Sequence, residues 1–344
     1  MAHQSLYRKY RPHTFKDVVG QDQVIAPLQA QIEGKSVGHA YVFAGSRGLG
    51  KTSIARIFAR ELGTKDSDLY EIDAASNNSV DDIRALTENV YTLPFASPYK
   101  VYILDEAHML SKGAWNAFLK TLEEPPAHAL FILATTELEK VPETVQSRCQ
   151  VFQLRKPSRA GLAALVTDIA KREGYTIEPA AADLLSLMGD GSYRDALSML
   201  EKTLASATGK KLALEETEHA TGAPKHTLIH ALINALSQGD TEAALTTISS
   251  AVTAEVSMQL YLTLVLERIR LILLVRHATD MRTSIKEEQG SEEYADIEKI
   301  ASAKDSHLTH QTLRIFIDAA ARMRFSPIPQ LPLELAVLEA LTKD

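Results

Sequence analysis

Apolar residues gather in short, nearly continuous runs through the first half of the chain, and then the period changes. The runs are His39–Ala44 (HAYVFA), Leu69–Asp73 (LYEID), Lys100–Asp105 (KVYILD) and Ala129–Thr135 (ALFILAT), with Gln150–Leu154 (QVFQL) following. Runs of this length without strict alternation predict strands covered on both faces. Between them the apolar positions recur every three to four residues, which predicts helices over Lys51–Leu62, Val80–Val90, Ala114–Leu122 and Pro142–Gln146. Strands alternating with helices imply a parallel α/β sheet. After Pro157 the strand signals stop. Residues 158–222 carry helical periodicity in about four segments, among them Arg159–Glu173, Ala180–Met188 and Tyr193–Ala207, with Ala207–Leu214 (ATGKKLAL) read as a turn. From Ala223 the pattern is helical again, with a polar break at Lys286–Glu293 and a proline-punctuated turn at Pro327–Pro332. Pro332 falls at the start of the last helical run, Leu331–Leu341, where its missing N–H costs nothing. The expected layout is an α/β domain over 1–157, a small helical domain over 158–222 and a larger helical one over 223–344.

A chain of 344 residues accommodates such a division. Hydrophobic residues at 45% and charged residues at 24% exclude a disordered, collagen-like or disulfide-stapled protein. The longest apolar candidate, Leu260–Val275, is broken by Glu267, Arg268 and Arg270, well short of the ~20 apolar residues that span a bilayer. The opening MAHQSLYRKYRP has no apolar core of a secretory signal. A cytoplasmic protein with no membrane partner is expected. The single cysteine, Cys149, allows no intrachain disulfide and argues against a cysteine-based zinc site. The net charge of −7 argues against whole-surface attraction to nucleic acid. Residues 1–60 nevertheless carry +6 and the remainder −13. An anion site near the N-terminus and a plain solvated basic face explain that asymmetry equally well.

Two motifs decide between them. Gly45-Ser46-Arg47-Gly48-Leu49-Gly50-Lys51-Thr52 fits GxxxxGK[ST] between a predicted strand and a predicted helix. Glycines there let backbone N–H groups turn onto phosphates, the helix N-terminus adds partial positive charge, Lys51 reaches the β- and γ-phosphates, and the Thr52 hydroxyl can ligate Mg²⁺. A glycine-rich turn with an exposed lysine is the plain alternative. The second motif, Val101-Tyr102-Ile103-Leu104-Asp105-Glu106, is an apolar strand ending in two carboxylates. Parallel sheets bind ligands at the carboxyl ends of their strands. Asp105 would hold Mg²⁺ and Glu106 would orient and deprotonate an attacking water. Alone, such a pair is weak, because turns favour Asp and solvated pairs are common. The string Asp105-Glu106-Ala107-His108 also matches the DEAH box of helicases, which would need a second α/β motor that this chain does not show.

Further polar groups stand where a γ-phosphate could be sensed. Thr135-Thr136 ends the fourth strand, Ser147-Arg148-Cys149 precedes the fifth, and Gly191-Ser192-Tyr193-Arg194-Asp195 opens a later helix. A strand-end threonine and two structural ion pairs are the bland readings. Other stretches are more distinctive: Tyr7-Arg8-Lys9-Tyr10-Arg11-Pro12, Phe15-Lys16-Asp17-Val18-Val19-Gly20-Gln21, Glu71-Ile72-Asp73-Ala74-Ala75-Ser76 and Lys120-Thr121-Leu122-Glu123-Glu124-Pro125-Pro126, with Met323-Arg324-Phe325-Ser326-Pro327 near the end.

Together these motifs resemble the AAA+ ATPases of the clamp-loader clade, and within it the γ/τ family of bacterial DNA polymerase III, over nearly the whole chain. The resemblance implies a five-stranded P-loop domain of strand order 5-1-4-3-2, a helical lid and an all-helical oligomerisation collar. It implies ATP and Mg²⁺ as ligands, with Gly45–Thr52 as the phosphate loop, Thr52 and Asp105 at the metal and Glu106 beside them. Thr136 takes the sensor-1 place, because its spacing to Ser147-Arg148-Cys149 fits. Arg194 takes the sensor-2 place within its own subunit, and Arg148 is the arginine finger that reaches a neighbour's ATP. Arg11, Pro12, Val18 and Val19 would line the adenine pocket. The implied function is ATP-driven loading of a sliding clamp onto primed DNA. The implied partners are copies of the chain, δ- and δ′-like subunits, the clamp (facing Val80–Pro98) and DNA in an inner channel. A non-hydrolysing δ′-like scaffold is the alternative, against which the intact phosphate loop and Asp105-Glu106 argue. The chain departs from the family in two respects. Only Gly63-Thr64-Lys65-Asp66-Ser67-Asp68 stands where most relatives carry a four-cysteine zinc module, so no zinc is expected. Longer family members also continue beyond the position of Asp344, into segments that bind helicase and polymerase.

Overall fold

The computed structural model describes residues 4–289, 291–303 and 305–342. Five parallel strands make one sheet: β1 (Ala40–Ala44), β2 (Leu69–Asp73), β3 (Lys100–Asp105), β4 (Ala129–Thr135) and β5 (Gln150–Gln153). Their order is β2-β3-β4-β1-β5, which is the expected 5-1-4-3-2. Every residue of β1 and β4 is buried, whereas the edge strands β2 and β5 carry exposed positions. This is why the central runs are the most uniformly apolar in sequence.

The helices of this region are α1 (Leu6–Lys9), α2 (Asp22–Glu33), α3 (Lys51–Glu61), α4 (Val80–Val90), α5 (Lys112–Glu123) and α6 (Glu143–Gln146). Alternate strand residues feed the two faces of the sheet. Tyr41, Phe43, Val101, Ile103, Leu130 and Ile132 pack with Leu28 of α2 and Ile54 and Phe58 of α3. Val42, Tyr102, Leu104, Phe131 and Leu133 pack on the opposite face with Ile83 and Leu86 of α4 and Trp115, Phe118 and Leu122 of α5. Serines start both of the latter helices. Ser79 and Asp82 form a capping box on α4, and the Ser111 hydroxyl accepts the Ala114 N–H of α5.

The register sets up the chemistry. Ala44 pairs with Thr135 across β1–β4, and Leu104 pairs with Leu133 across β3–β4. The carboxyl ends of the three central strands therefore finish level, bringing Gly45, Asp105 and Thr135 to one edge.

Beyond β5 come α7 (Arg159–Arg172), α8 (Pro179–Met188), α9 (Tyr193–Ser206) and α10 (Leu214–Thr221), then α11 (His226–Gln238), α12 (Thr241–Thr253), α13 (Met258–His277), α14 (Arg282–Gln289), α15 (Ser291–Ser302), α16 (His310–Met323) and α17 (Leu331–Leu341). Contacts sort the chain into two compact units. One holds the residues up to Ile169 with Ser186–Glu201, and the other holds Ala170–Leu185 with the residues from Lys202 onward. In the second unit, Leu232, Leu236, Ile248, Tyr261, Val265, Ile269, Phe316 and Val337 share one core.

The strands do not stop at Pro157. β6 (Thr176–Ile177) and β7 (Lys211–Leu212) pair in parallel; β7 falls inside Ala207–Leu214, expected to be only a turn, and β6 falls between two expected helical segments. Two-residue strands are too short to imprint a period. A 2.8 Å ion pair from Lys211 to Glu178 and the Leu214 N–H on the other Glu178 oxygen at 3.0 Å fasten them. The polar break at Lys286–Glu293 is mostly helix, in α14 and α15, and residue 290 lies outside the described residues. Among the described residues, no helix is long and apolar enough to cross a membrane.

Candidate functional site

The chain leaves β1 at Ala44, turns through Gly45–Gly50 and enters α3 at Lys51. Gly50 caps that helix with φ +91°, and a Cβ built there meets nothing within 4 Å, so open space lies above the first N–H groups of α3. The Lys51 side chain, only 6% exposed, folds back over the turn. Its Nζ donates to the Gly45 and Ser46 carbonyls at 2.7 and 3.0 Å. Burial lowers the affinity of this amine for its proton, while Glu106 and Asp105 nearby pull the other way.

From the end of β3, Asp105 Oδ2 accepts the Thr52 hydroxyl at 2.9 Å. Glu106 stands next to it in the left-handed region, φ +49°, with its N–H on Asp105 Oδ1 at 3.1 Å. A non-glycine residue there costs of order 1–3 kcal/mol, and such strain clusters at functional positions. Thr136 Oγ1 donates to Glu106 Oε2 at 3.4 Å, linking the ends of β3 and β4.

Lys51, Thr52, Asp105 and Glu106 face a cleft of about 720 Å³. Arg11, Pro12, Val18, Val19, Arg47, Gly48, Leu49, Gly50, Lys51, Thr52, Asp105, Glu106 and Arg194 all line it. The Arg11 guanidinium donates to Ser53 Oγ at 3.1 Å; burial, and then the nearby Arg56 charge, hold its pKa below the usual value. The Arg194 guanidinium lies 5.5 Å from the Tyr7 ring centroid, in cation–π range. Among the sites expected from sequence, Gly45, Ser46, Thr136 and Arg148 do not line the cleft. Gly45 is held by its N–H on the Thr135 carbonyl at 3.1 Å. Arg148 lies elsewhere, its guanidinium donating to Glu123 Oε1 and to the Thr144 carbonyl, both at 2.7 Å.

Sequence reasoning missed Tyr7, Tyr193, Leu165, Ile169 and Leu197 as cleft residues. Tyr193 has a double attachment, its N–H on the Gly48 carbonyl at 3.2 Å and its hydroxyl on the Val19 carbonyl at 2.5 Å. Both tyrosines sit inside the distinctive stretches, which was the available signal. Leu197 closes the same stretch as Tyr193, Gly191–Leu197, whereas Leu165 and Ile169 carry no signal beyond helical period.

The oxygen pair of Thr52 and Asp105 suits a hard divalent cation, and the open helix start beside Lys51 suits a triphosphate. Among the described residues, no group of three or more His, Cys, Asp or Glu side chains converges as a metal site.

A phosphate-loop nucleotide site on a 5-1-4-3-2 sheet defines an AAA+ P-loop fold. The RuvB Holliday junction branch migration motor of Thermotoga maritima shares that fold, with a TM-score of 0.53 at 20% identity over 74% of this chain and 90% of that one. Residues 64–158 match the family model described as DNA polymerase III, delta subunit, and residues 162–209 match that of the DNA polymerase III clamp loader subunit, ATPase lid domain. DNA polymerase III subunit tau of Bacillus subtilis is 41% identical over 72% of this chain and 48% of its own length. DNA polymerase III subunit gamma of Buchnera aphidicola subsp. Schizaphis graminum is 30% identical over all of this chain and 99% of its own. The chain belongs to the γ/τ subunit family of DNA polymerase III. It spans about half the length of the first curated relatives it matches, 48% and 52%.

Proposed function

We propose that the chain is an ATP-hydrolysing subunit of a bacterial DNA polymerase III clamp loader, using ATP to place a sliding clamp on primed DNA in the cytoplasm. The Thr52–Asp105 pair beside Lys51 carries this reading, because it joins the phosphate loop to the acidic strand end at hydrogen-bond distance. Backbone N–H groups of Arg47–Thr52 and the Lys51 ammonium bind the phosphates. Thr52 and Asp105 would hold Mg²⁺, which would supply positive charge to offset that of the phosphates. Glu106 orients and deprotonates the attacking water, with Thr136 fixing its carboxylate. Arg194 reaches the nucleotide from its own subunit. Arg11, Pro12, Val18 and Val19 form the adenine wall.

Arg148 acts in trans. It does not line its own cleft, and among the described residues its partners are a half-exposed Glu123 and backbone or hydroxyl groups of its own turn, a pairing that a neighbour's phosphate can outcompete. The lid (158–222) and the collar (223–344) complete the three-part division. The exposed Leu331, Leu335 and Leu338 of α17 support collar packing against copies of the chain and δ- and δ′-like subunits. The clamp surface is the α4 region. Leu93 and Phe95 are 79% and 86% exposed, yet the Asp68 carboxylate pins their loop by accepting the Phe95 and Ala96 N–H groups at 2.5 and 2.8 Å. DNA in the inner channel is held mainly by its phosphates.

The test is ATP turnover of the full chain with and without clamp and primed DNA, alongside Lys51→Ala. Turnover stimulated by clamp and DNA and lost in the variant is expected. Nucleotide binding without turnover under every condition would leave the δ′-like scaffold role instead.

A further inference from the structure

The string Asp105-Glu106-Ala107-His108 leaves its last residue without a task. His108 sits on a 3₁₀ turn, Ala107–Met109, directly after β3, and its side chain is 8% exposed. Both ring nitrogens meet polar groups from other elements. Nδ1 lies 3.1 Å from Thr135 Oγ1 and 3.6 Å from Glu106 Oε2, and Nε2 lies 3.4 Å from Glu137 Oε1. The Thr135 hydroxyl donates to the Glu137 carbonyl at 3.2 Å and accepts the Glu137 N–H at 3.1 Å. Its proton is thus engaged, and its remaining acceptor capacity faces the imidazole. The far oxygen of Glu137 is held by Lys140 at 2.8 Å.

Glu106 itself is a long side chain about one-third exposed. Left alone it would sample several rotamers, and a misplacement of about 1 Å at a reacting group can cost about a hundredfold in rate. The buried ring, oriented by Thr135, stands 3.6 Å from Oε2 of this carboxylate, in packing contact rather than hydrogen-bonded to it, and the Thr136 hydroxyl donates to the same oxygen at 3.4 Å. We propose that His108 is a positioning residue for Glu106, acting through Nδ1. It fixes the carboxylate against Thr135 and so ties the water-activating group of β3 to the γ-phosphate-sensing end of β4. The inference rests on Glu106 being the group that activates water.

The experiment measures kcat, KM and equilibrium ATP binding on the full chain with clamp and primed DNA. His108→Ala should lower kcat by about ten- to a hundredfold with ATP affinity unchanged. His108→Asn places an amide near the Nδ1 position and should recover most of that loss. His108→Gln reaches only toward the Nε2 position and should not. Glu106→Gln tests the underlying reading separately: it should abolish turnover, and adding His108→Ala to it should cost nothing more. An unchanged kcat in His108→Ala, or rescue by Gln and not Asn, overturns the positioning role even where Glu106→Gln is inactive. An active Glu106→Gln removes the base assignment itself. If His108→Ala does not fold, the Asn–Gln contrast still decides the matter.

Discussion

Gly48 and Ser192 touch beside the nucleotide cleft: a Cβ on Gly48 would fall 1.9 Å from Ser192 Oγ. Gly48 also has φ +78°, where a side chain is strained. Gly48→Ala should therefore cost of order 1–3 kcal/mol of stability and weaken ATP binding. Adding Ser192→Gly should restore the part due to the collision and leave the backbone part. Thermal unfolding and ATP titration of the single and double variants measure this, and additivity of the two changes would contradict a direct contact.

Arg148→Ala should leave ATP affinity within about twofold of the parent and lower assembly-dependent hydrolysis by about 10³-fold or more. Mixing it with Lys51→Ala subunits should recover turnover at interfaces where the Lys51 variant lends its intact arginine to the other's nucleotide. Mixtures as silent as either variant alone would refute action in trans.

Phe95→Ala should cut clamp binding about tenfold or more, with ATP binding unchanged. Asp68→Ala should do the same indirectly by releasing the Phe95 and Ala96 N–H groups and loosening the loop that presents Phe95. Surface plasmon resonance against immobilised clamp distinguishes both from a general loss of fold, which circular dichroism would reveal.

Glu218 supplies a pH test in the helical unit. It is buried, and burial raises its pKa above the ordinary glutamate value despite the His226 N–H on its carboxylate at 2.7 Å. Its ionisation therefore opposes folding. Stability is highest below the ordinary glutamate pKa and falls as pH rises through the raised folded value. Glu218→Gln lacks that penalty. Its Tm relative to the parent should climb between about pH 4 and neutrality, and a flat or falling difference would contradict the assignment.

Much of this was legible beforehand, for a physical reason. The central strands are buried on both faces, so Val101–Leu104 and Leu130–Ala134 must be apolar throughout, and their limits show in the letters. The phosphate loop is legible because its geometry is local: turn, helix start and lysine fall within eight residues. Contacts between distant segments leave no such trace. Tyr193 meets Val19 across a separation of 174 residues, and His108 meets Thr135 across 27. Pro27 inside α2 masks that helix in the sequence, although Val24, Ile25 and Leu28 form its buried side. The short pairing of β6 with β7 rests on backbone hydrogen bonds and on the contacts of Glu178 with Lys211 and Leu214, which no periodicity announces.

The Lys51 ammonium resting on two carbonyls of its own turn has a thermodynamic consequence. Its two bonds tie Gly45 and Ser46 to the first residue of α3, so the turn and the helix start are cross-linked through one cation. Each torsion such a cross-link restrains is freedom that capture of a guest need not remove, which lowers the entropic cost of binding.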